Sequence, residues 1–391
     1  MWIRNTLIAL VIIVAIVVMA SWRVAPGMIE KELNQVIAHE PYVISEQAKK
    51  LHQSLIIGDW HSDTPLWERD MASREHRGHV DVPRLQQGNV ALQMFTTVTK
   101  SPRGQNYQQN SANAGDNITL LAVAQGWPIR TWNSLAERAL YQAKKVRDLA
   151  EQHPDDVRLI LNQQDLARFM EARKQNPKLV GAMIGTEGSH ALDGNLDNVQ
   201  RLFDAGFRMM SLQHFFDNKL GGSLHGESGA GLTEFGRQAI DRMNQLGIMI
   251  DLSHSAPQVV EDVLAYTDQP LIVSHTGVHG HCPSARNISD SLMQQIAAKG
   301  GIIGIGYWDG AVCEISPDNV VKALRYAIDL LGEDHVALGS DFDGSVTTAM
   351  DTSELAVLTD GMLKAGFTET EIRKVMGENT LRFLQQQLPQ Q

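Results

Sequence analysis

The stretch TEFGRQAIDRMNQLGIMIDLSH, residues 233–254, contains the unit from which the fold is read. Its first half sets Phe235, Ala239, Ile240 and Met243 at helical spacing, so that one face of a helix is apolar. Its second half, Gly247–Leu252, is a short run with almost no polar break, as in a strand buried on both faces. Where that run stops, Ser253 and His254 follow at once.

The same unit recurs on both sides. Comparable runs lie at Leu55–Asp59, Val90–Thr97, Leu179–Gly185, Phe207–Leu212, Pro270–Ser274, Gly301–Gly306 and Val336–Gly339, which makes eight with the first. Helical spacing returns over Ser289–Lys299, stopped by Gly300 and Gly301, and over Asp318–Leu331, stopped by Gly332. Strands that alternate with helices pair in parallel, and eight such units close into a (β/α)8 TIM barrel more readily than they spread into an open sheet. Residues 100–178 are too long for one crossover. They begin as a loop rich in Gly, Asn and Gln, turn mostly helical over 117–173, and are read as an insertion after the second strand. The barrel is assigned to residues 51–391, preceded by a polar, helix-prone neck over 24–50.

The first residues differ in kind. Leu7–Ala20 is unbroken apolar sequence between Arg4 and Arg23. A spanning helix needs about 20 such residues, and Trp2, Ile3, Ser21 and Trp22 extend the run into the interfaces. An uncleaved anchor, a cleaved signal and a buried core helix all fit this pattern. The anchor helix over 1–23 is the reading adopted, and with it a tether in the membrane and a barrel in the periplasm or outside the cell.

The net charge of −11, with no cluster of Lys and Arg, argues against nucleic acid as a partner. Two cysteines are too few for a thiolate-rich metal site, so any metal must be held by His, Asp and Glu. A parallel barrel carries its active site at the C-terminal ends of its strands. The first run ends in Asp59-Trp60-His61-Ser62-Asp63, the third in Thr186-Glu187-Gly188 and the fourth in Gln213-His214. The fifth ends in Ser253-His254, the sixth in His275-Thr276 and the eighth in Ser340-Asp341-Phe342-Asp343. Taken singly, each has a bland explanation: a packing histidine, a helix cap, or a turn at Asp343-Gly344. Taken together, so many ionisable groups on one rim are costly to bury without a metal or a proton to move.

His61 and Asp63 stand two apart and share one side of a strand end, where they can grip one ion. His254 and His275, from neighbouring strands, can grip a second, with Glu187 as the bridge. Two divalent ions about 3.5–4 Å apart trap a hydroxide and polarise a carbonyl. Ligation by N and O without Cys suits zinc, two per chain, with manganese or cobalt as substitutes.

Several ordered stretches resemble the membrane-dipeptidase family, metallopeptidases of the amidohydrolase-type barrels related to renal dipeptidase. They are DWHSDTP (59–65), HVDVPRLQQGNVALQMF (79–95), GTEGSHAL (185–192), LQHFFDN (212–218), GLTEFGR (231–237), IDLSH (250–254), IVSHTG (272–277), SARNISD (284–290) and ALGSDFDG (337–344). The likeness runs from about Leu55 to Leu384. It implies that His61 and Asp63 bind one zinc, that His254 and His275 bind the other, and that Glu187 joins them. It further implies that His214 meets the scissile carbonyl, that Arg286 clamps the substrate's C-terminal carboxylate, and that Asp341 carries the proton to the leaving amine. Trp60 and Ser62 stand where many relatives have Gly and Asn, which bears on substrate fit rather than on ligation. His76, His79 and His279 receive no role and are read as surface or structural.

The activity implied is hydrolysis of a dipeptide's amide bond by metal-bridged hydroxide attack, with a D-residue admissible at the C-terminal position. A deacylase, lactonase or β-lactam hydrolase on the same metals, and a non-catalytic membrane-tethered binding protein, are the alternatives; a homodimer is compatible with any of them. Cys282 and Cys313 fall in the loops after the sixth and seventh strands, side by side in a barrel, and similar cysteines are bridged in mammalian members of the resembling family. A bridge is expected, worth on the order of 3 kcal/mol by the chain-entropy model.

Overall fold

Eight short strands form the centre of the structure, a computed structural model that describes Asn5 and residues 24–390. They are β1 (Ile57–Ser62), β2 (Val90–Val98), β3 (Val180–Glu187), β4 (Phe207–Ser211), β5 (Met249–Asp251), β6 (Ile272–Thr276), β7 (Ile302–Ile305) and β8 (Val336–Leu338). Every residue in all eight is buried, which explains why the runs look apolar throughout instead of alternating. Each strand pairs in parallel with its sequence neighbours. β8 returns to β1 through Leu338 and Asp59, and β2 meets β3 from Leu92–Gly181 to Val98–Glu187, so the ring closes.

Alternate residues divide the core in two. Met94, Met183, Met209, Met249, Ile272, Ile302 and Ala337 pack together with Trp60 as the filling of the barrel. Phe383 of the final helix meets Trp60 edge-on at 5.7 Å between ring centroids. The opposite set, with Phe95, Ile184, Met210, Ile250, Val273, Ile303 and Leu338, packs against the surrounding helices.

The helices between strands begin and end where side chains satisfy their free backbone groups. Thr233 caps Glu234–Leu246 through Gly236 N, Ser289 caps Asp290–Ala298 through Leu292 N, and Ser316 caps Pro317–Leu331 through Asn319 N. Gly247 closes the first of these at φ 71°, a conformation open to glycine without a Cβ penalty.

Between β2 and β3 lie helices Asn117–Ala124, Leu135–Gln152 and Gln163–Gln175. The middle one buries Ala139, Ala143, Val146 and Leu149 along one stripe and so takes the place of a crossover helix. A short strand, Val157–Leu159, adds to the outer edge of β3, which the sequence did not reveal. The expected neck is not one helix. Residues 24–33 are helical, Gln35–Val36 pairs in parallel with Thr347–Thr348, residues 37–45 have no regular structure, and a helix resumes at Glu46. Apart from Asn5, the expected anchor over 1–23 lies outside the described residues; among those described, no helix is long and apolar enough to cross a membrane. Cys282 and Cys313 are bridged as expected, with a Cα–Cα separation of 5.6 Å.

Candidate metal centre

The C-terminal ends of the strands bring the expected side chains onto one rim. His61 is on β1, and Asp63 just beyond it opens the short 3-10 turn Thr64–Leu66. Glu187 is the last residue of β3, and His275 stands on β6. His214 follows β4, His254 follows β5 and Asp341 follows β8; the last two adopt left-handed backbone at φ 63° and 60°. All seven side chains are buried.

Glu187 is the hub. Its Oε1 lies 3.2 Å from His254 Nε2, 3.3 Å from His275 Nε2 and 3.6 Å from His61 Nε2, and its Oε2 lies 3.3 Å from His214 Nε2. The far ring nitrogens explain why those atoms point inward. Ser274 Oγ donates its one hydrogen to Asp251 Oδ2 at 2.7 Å. Its lone pairs then receive N–H from His61 Nδ1 at 3.1 Å and His275 Nδ1 at 2.9 Å. His214 Nδ1 donates to Lys100 O at 3.2 Å. Three rings are thus fixed with Nδ1 as the donor, which aims each Nε2 at the carboxylate. His254 Nε2 stands only 3.0 Å from His275 Nε2, and His61 Nε2 has no hydrogen-bond partner. Lone pairs facing a carboxylate repel one another unless cations or protons lie between them. This donor set, all imidazole nitrogen and carboxylate oxygen, with the outer nitrogens of His61, His214 and His275 held, fits a divalent metal.

Two groups of ligand atoms lie within 4.8 Å of one another, namely His61, Glu187, His275 and Asp341, and Glu187, His214 and His254. Glu187 belongs to both, in keeping with a shared carboxylate. His275 falls in the group with His61, and its Nε2 also lies 3.0 Å from His254 Nε2, so this ring stands between the two groups. Asp63 stands just outside, 3.5 Å from His61 Nε2 and held by Thr96 Oγ1 at 2.7 Å.

Burial raises the Glu187 carboxyl well above its ordinary range, and Asp63 and Asp341 raise it further. Burial also pushes Asp341 up to about 7 against the attraction of His61, with Asp63 adding to the rise and Arg286 opposing it. Burial also opposes charge on His61, but Asp63 foremost, with Asp341 and Asp251, raises that ring above its ordinary value; three other imidazoles move the opposite way. Burial lowers His214 to about 4 and holds His254 and His275 well below the usual histidine range. In both the raised carboxyls and the lowered imidazoles the first cause is burial, which disfavours the charged form.

A cavity of about 300 Å³ opens above these groups and reaches Arg286. Arg286 is 1% exposed, donates from Nη2 to His275 O at 2.9 Å, and lies over the Trp308 ring at 5.3 Å. Asp341 and Glu187 attract it through space, without hydrogen bonds. Tyr107, Phe215 and Trp308 complete the wall, and Trp308 Nε1 donates to Tyr107 Oη at 2.9 Å. Sequence reasoning missed Tyr107 and Trp308, since an aromatic in a loop carries no periodic signal. Asp251 and Ser274 were also missed, although they sit inside the IDLSH and IVSHTG stretches. Of the unassigned histidines, His76 and His279 are exposed, whereas His79 is buried and structural: its Nδ1 accepts from Asp343 N at 3.1 Å.

Comparison with known proteins agrees with this geometry. The family profile described as membrane dipeptidase (peptidase family M19) matches residues 45–390. A dipeptidase, tcpJ, of Claviceps purpurea is 27% identical over 334 residues, 83% of this chain and 73% of that protein. Among solved structures, the probable dipeptidase PvdM of Pseudomonas aeruginosa superposes with a TM-score of 0.70 at 18% identity, covering 87% of this chain and 97% of its own. A metallopeptidase of Rhodobacter sphaeroides, liganded with a phosphinate mimic of the dipeptide L-Ala-D-Ala, gives 0.65 at 24% identity, covering 85% and 99%.

Proposed function

The chain belongs to the membrane dipeptidase family of metallopeptidases, and on that premise we propose that it hydrolyses dipeptides at a pair of zinc ions shared through Glu187. Membership makes it a metallo-dipeptidase; the number and kind of ions and the choice of dipeptide are the proposal. The observation that carries it is the convergence of four imidazole Nε2 atoms on one buried carboxylate.

His61, Asp63, Glu187, His254 and His275 would hold the metal. Divalent ions bound there supply a water that ionises near neutral pH and a Lewis acid for the amide carbonyl. The remaining steps fall to the chain. Arg286, buried and without a hydrogen-bonded carboxylate, receives the free carboxylate of the substrate. Its burial keeps water from competing for that contact. His214 is held by Lys100 O with Nε2 toward the cavity. From there the ring would contact the scissile carbonyl and the oxygen on which negative charge grows. Asp341 faces the same cavity, where it takes up a proton at one stage and delivers it to the departing amine at the next.

The L-Ala-D-Ala mimic belongs to the Rhodobacter sphaeroides relative. Acceptance of a D-residue at the C-terminal position is proposed here by analogy. A barrel outside the cytoplasm, tethered through residues 1–23, is likewise proposed; the Cys282–Cys313 bridge supports it, since such bonds persist in oxidising compartments.

The test is a panel of L,L and L,D dipeptides, their C-terminal amides and N-acyl amino acids, offered to the zinc-loaded full chain. Free amino acids should appear from dipeptides with a free carboxylate. Turnover of N-acyl amino acids alone would overturn the reading in favour of a deacylase.

A further inference from the structure

Asp341 is aimed by its backbone alone. Its carboxylate accepts no hydrogen bond from any described residue, and its carbonyl accepts one from Gly344 N at 3.0 Å. The loop around it is strained: Asp341, Asp343 and Ser345 adopt left-handed backbone at φ 60°, 63° and 62°. Residues with a side chain seldom adopt that region, and they keep it only where the surroundings over-determine it. Gly344 is packed so closely that an added Cβ would collide with Asp341 Oδ1.

Asp63 N donates to Phe342 O at 2.9 Å, and further restraints come from the segment after β1 and from residues before the barrel. Asp343 accepts from Thr64 Oγ1 at 2.7 Å, from His79 N at 2.6 Å and from the Arg69 guanidinium. Its carbonyl accepts from Trp67 Nε1 at 2.8 Å. Arg69 is held in turn by Glu30, whose Oε1 lies 2.7 Å from Arg69 Nε and whose Oε2 accepts from Arg77 Nε at 2.7 Å. Ser345 N donates to Asn34 Oδ1 at 2.8 Å, and Thr347–Thr348 pairs with Gln35–Val36. Glu30 and Asn34 are 1% and 4% exposed, although they precede the barrel and the family match that begins at residue 45.

We propose that the segment 30–36 is part of the catalytic apparatus, with Glu30, acting through Arg69, and Asn34, acting directly, as positioning residues that lock the 341–345 loop and so aim Asp341. The proposal rests on the role given to Asp341 above. A mere fastening of this segment would not need to end on the residues two and four positions beyond Asp341, whose carboxylate accepts no hydrogen bond from any described residue.

The experiment compares zinc-loaded full-length Glu30→Gln, Asn34→Ala and the double variant with the wild type. It measures kcat and KM on a cleaved dipeptide, metal content, and amide hydrogen exchange over 340–346 and 252–256. Misplacement of a reacting group by about an ångström costs up to roughly 100-fold in rate. Each single variant should therefore lose about tenfold or more in kcat, with KM within about twofold and the metal content retained. Exchange should quicken over 340–346 and stay unchanged over 252–256. Asn34→Ala removes one hydrogen bond and no charge, so it serves if Glu30→Gln does not fold. Wild-type kcat in a folded variant overturns the proposal, whatever the exchange does. If the wild type cleaves no dipeptide, the dipeptidase reading fails by itself; exchange then decides whether segment 30–36 holds the loop, and wild-type exchange over 340–346 overturns that.

Discussion

Two clusters of buried charge lie side by side on the same rim, with Asp341 in one and Asp343 in the other. Around Asp343 every carboxylate meets a guanidinium: Arg69 contacts Asp343 and Glu30, and Arg77 contacts Glu30. Although burial pushes the Asp343 carboxyl up, Arg69 and the hydrogen bond from His79 N hold it well below its ordinary range. Burial still raises Glu30 in spite of Arg69 and Arg77, so the cluster is balanced without being free of cost. Around Glu187 the partners are lone pairs and further carboxylates, and its carboxyl and that of Asp341 are both driven up. Equal burial has thus been met in two ways. A cluster that supplies its own counter-charge is structural, whereas one that lacks it is built to receive a cation.

Removing the hub should separate the two most sharply. Glu187→Ala is expected to abolish turnover, by a factor beyond about 10⁴ in view of the usual weight of metal-assisted catalysis, and to release metal approaching two equivalents per chain. Elemental analysis of the purified variant checks this, and retention of both ions would remove Glu187 as the bridge. Asp341→Asn should keep the metal and the substrate affinity while losing about 10²–10⁴-fold in kcat, the usual contribution of general acid–base catalysis. Near-normal turnover would take Asp341 out of the mechanism. Arg286→Met should reduce the preference for free over amidated dipeptides by roughly 10- to 100-fold, as expected for a charge-assisted hydrogen bond of about 1.5–3 kcal/mol. The ratio of kcat/KM for acid and amide measures it, and an unchanged ratio assigns Arg286 some other task.

The last effect bears on stability and not on turnover, and comes from a histidine that belongs to neither cluster. His52 is buried as a neutral ring between Thr359 Oγ1 at 2.8 Å and Gly88 O at 3.1 Å. Burial lowers it from the ordinary 6.5 to about 4. As pH falls, the unfolded chain therefore takes up this proton before the folded one does. Stability should be lost between pH 6.5 and about 4 and level off below, by about 3 kcal/mol at 1.36 kcal/mol per unit. His52→Gln should flatten that part of the unfolding free energy against pH and leave kcat at neutral pH alone. Denaturant titrations at stepped pH would show it, and an unaltered slope would mean that His52 is not what titrates.

The barrel was legible because all eight strands are buried on both faces, so each reads as an apolar run whatever its partner. Their ends were less so. The fifth run, read as Gly247–Leu252, holds strand geometry only over Met249–Asp251, and the first extends past Asp59 to Ser62. Apolarity marks burial, while a ladder stops where the neighbouring strand diverges. The ionisable rim was legible for the same topological reason, since a side chain just after a buried run must lie at a strand end. What sequence could not supply was contact between distant segments. Nothing near Glu30 announces Arg69, and nothing near Asn34 announces Ser345. The segment's polarity reads as an exposed neck, yet Glu30 and Asn34 are buried because their partners arrive from elsewhere in the chain.

The central claim is that Glu187 joins two divalent ions. Anomalous diffraction from zinc-loaded crystals of the full chain, measured above and below the zinc absorption edge, addresses it directly. The account predicts two peaks flanking the Glu187 carboxylate, one toward His61 and one toward His254. A single peak, or peaks that do not share Glu187, would contradict it.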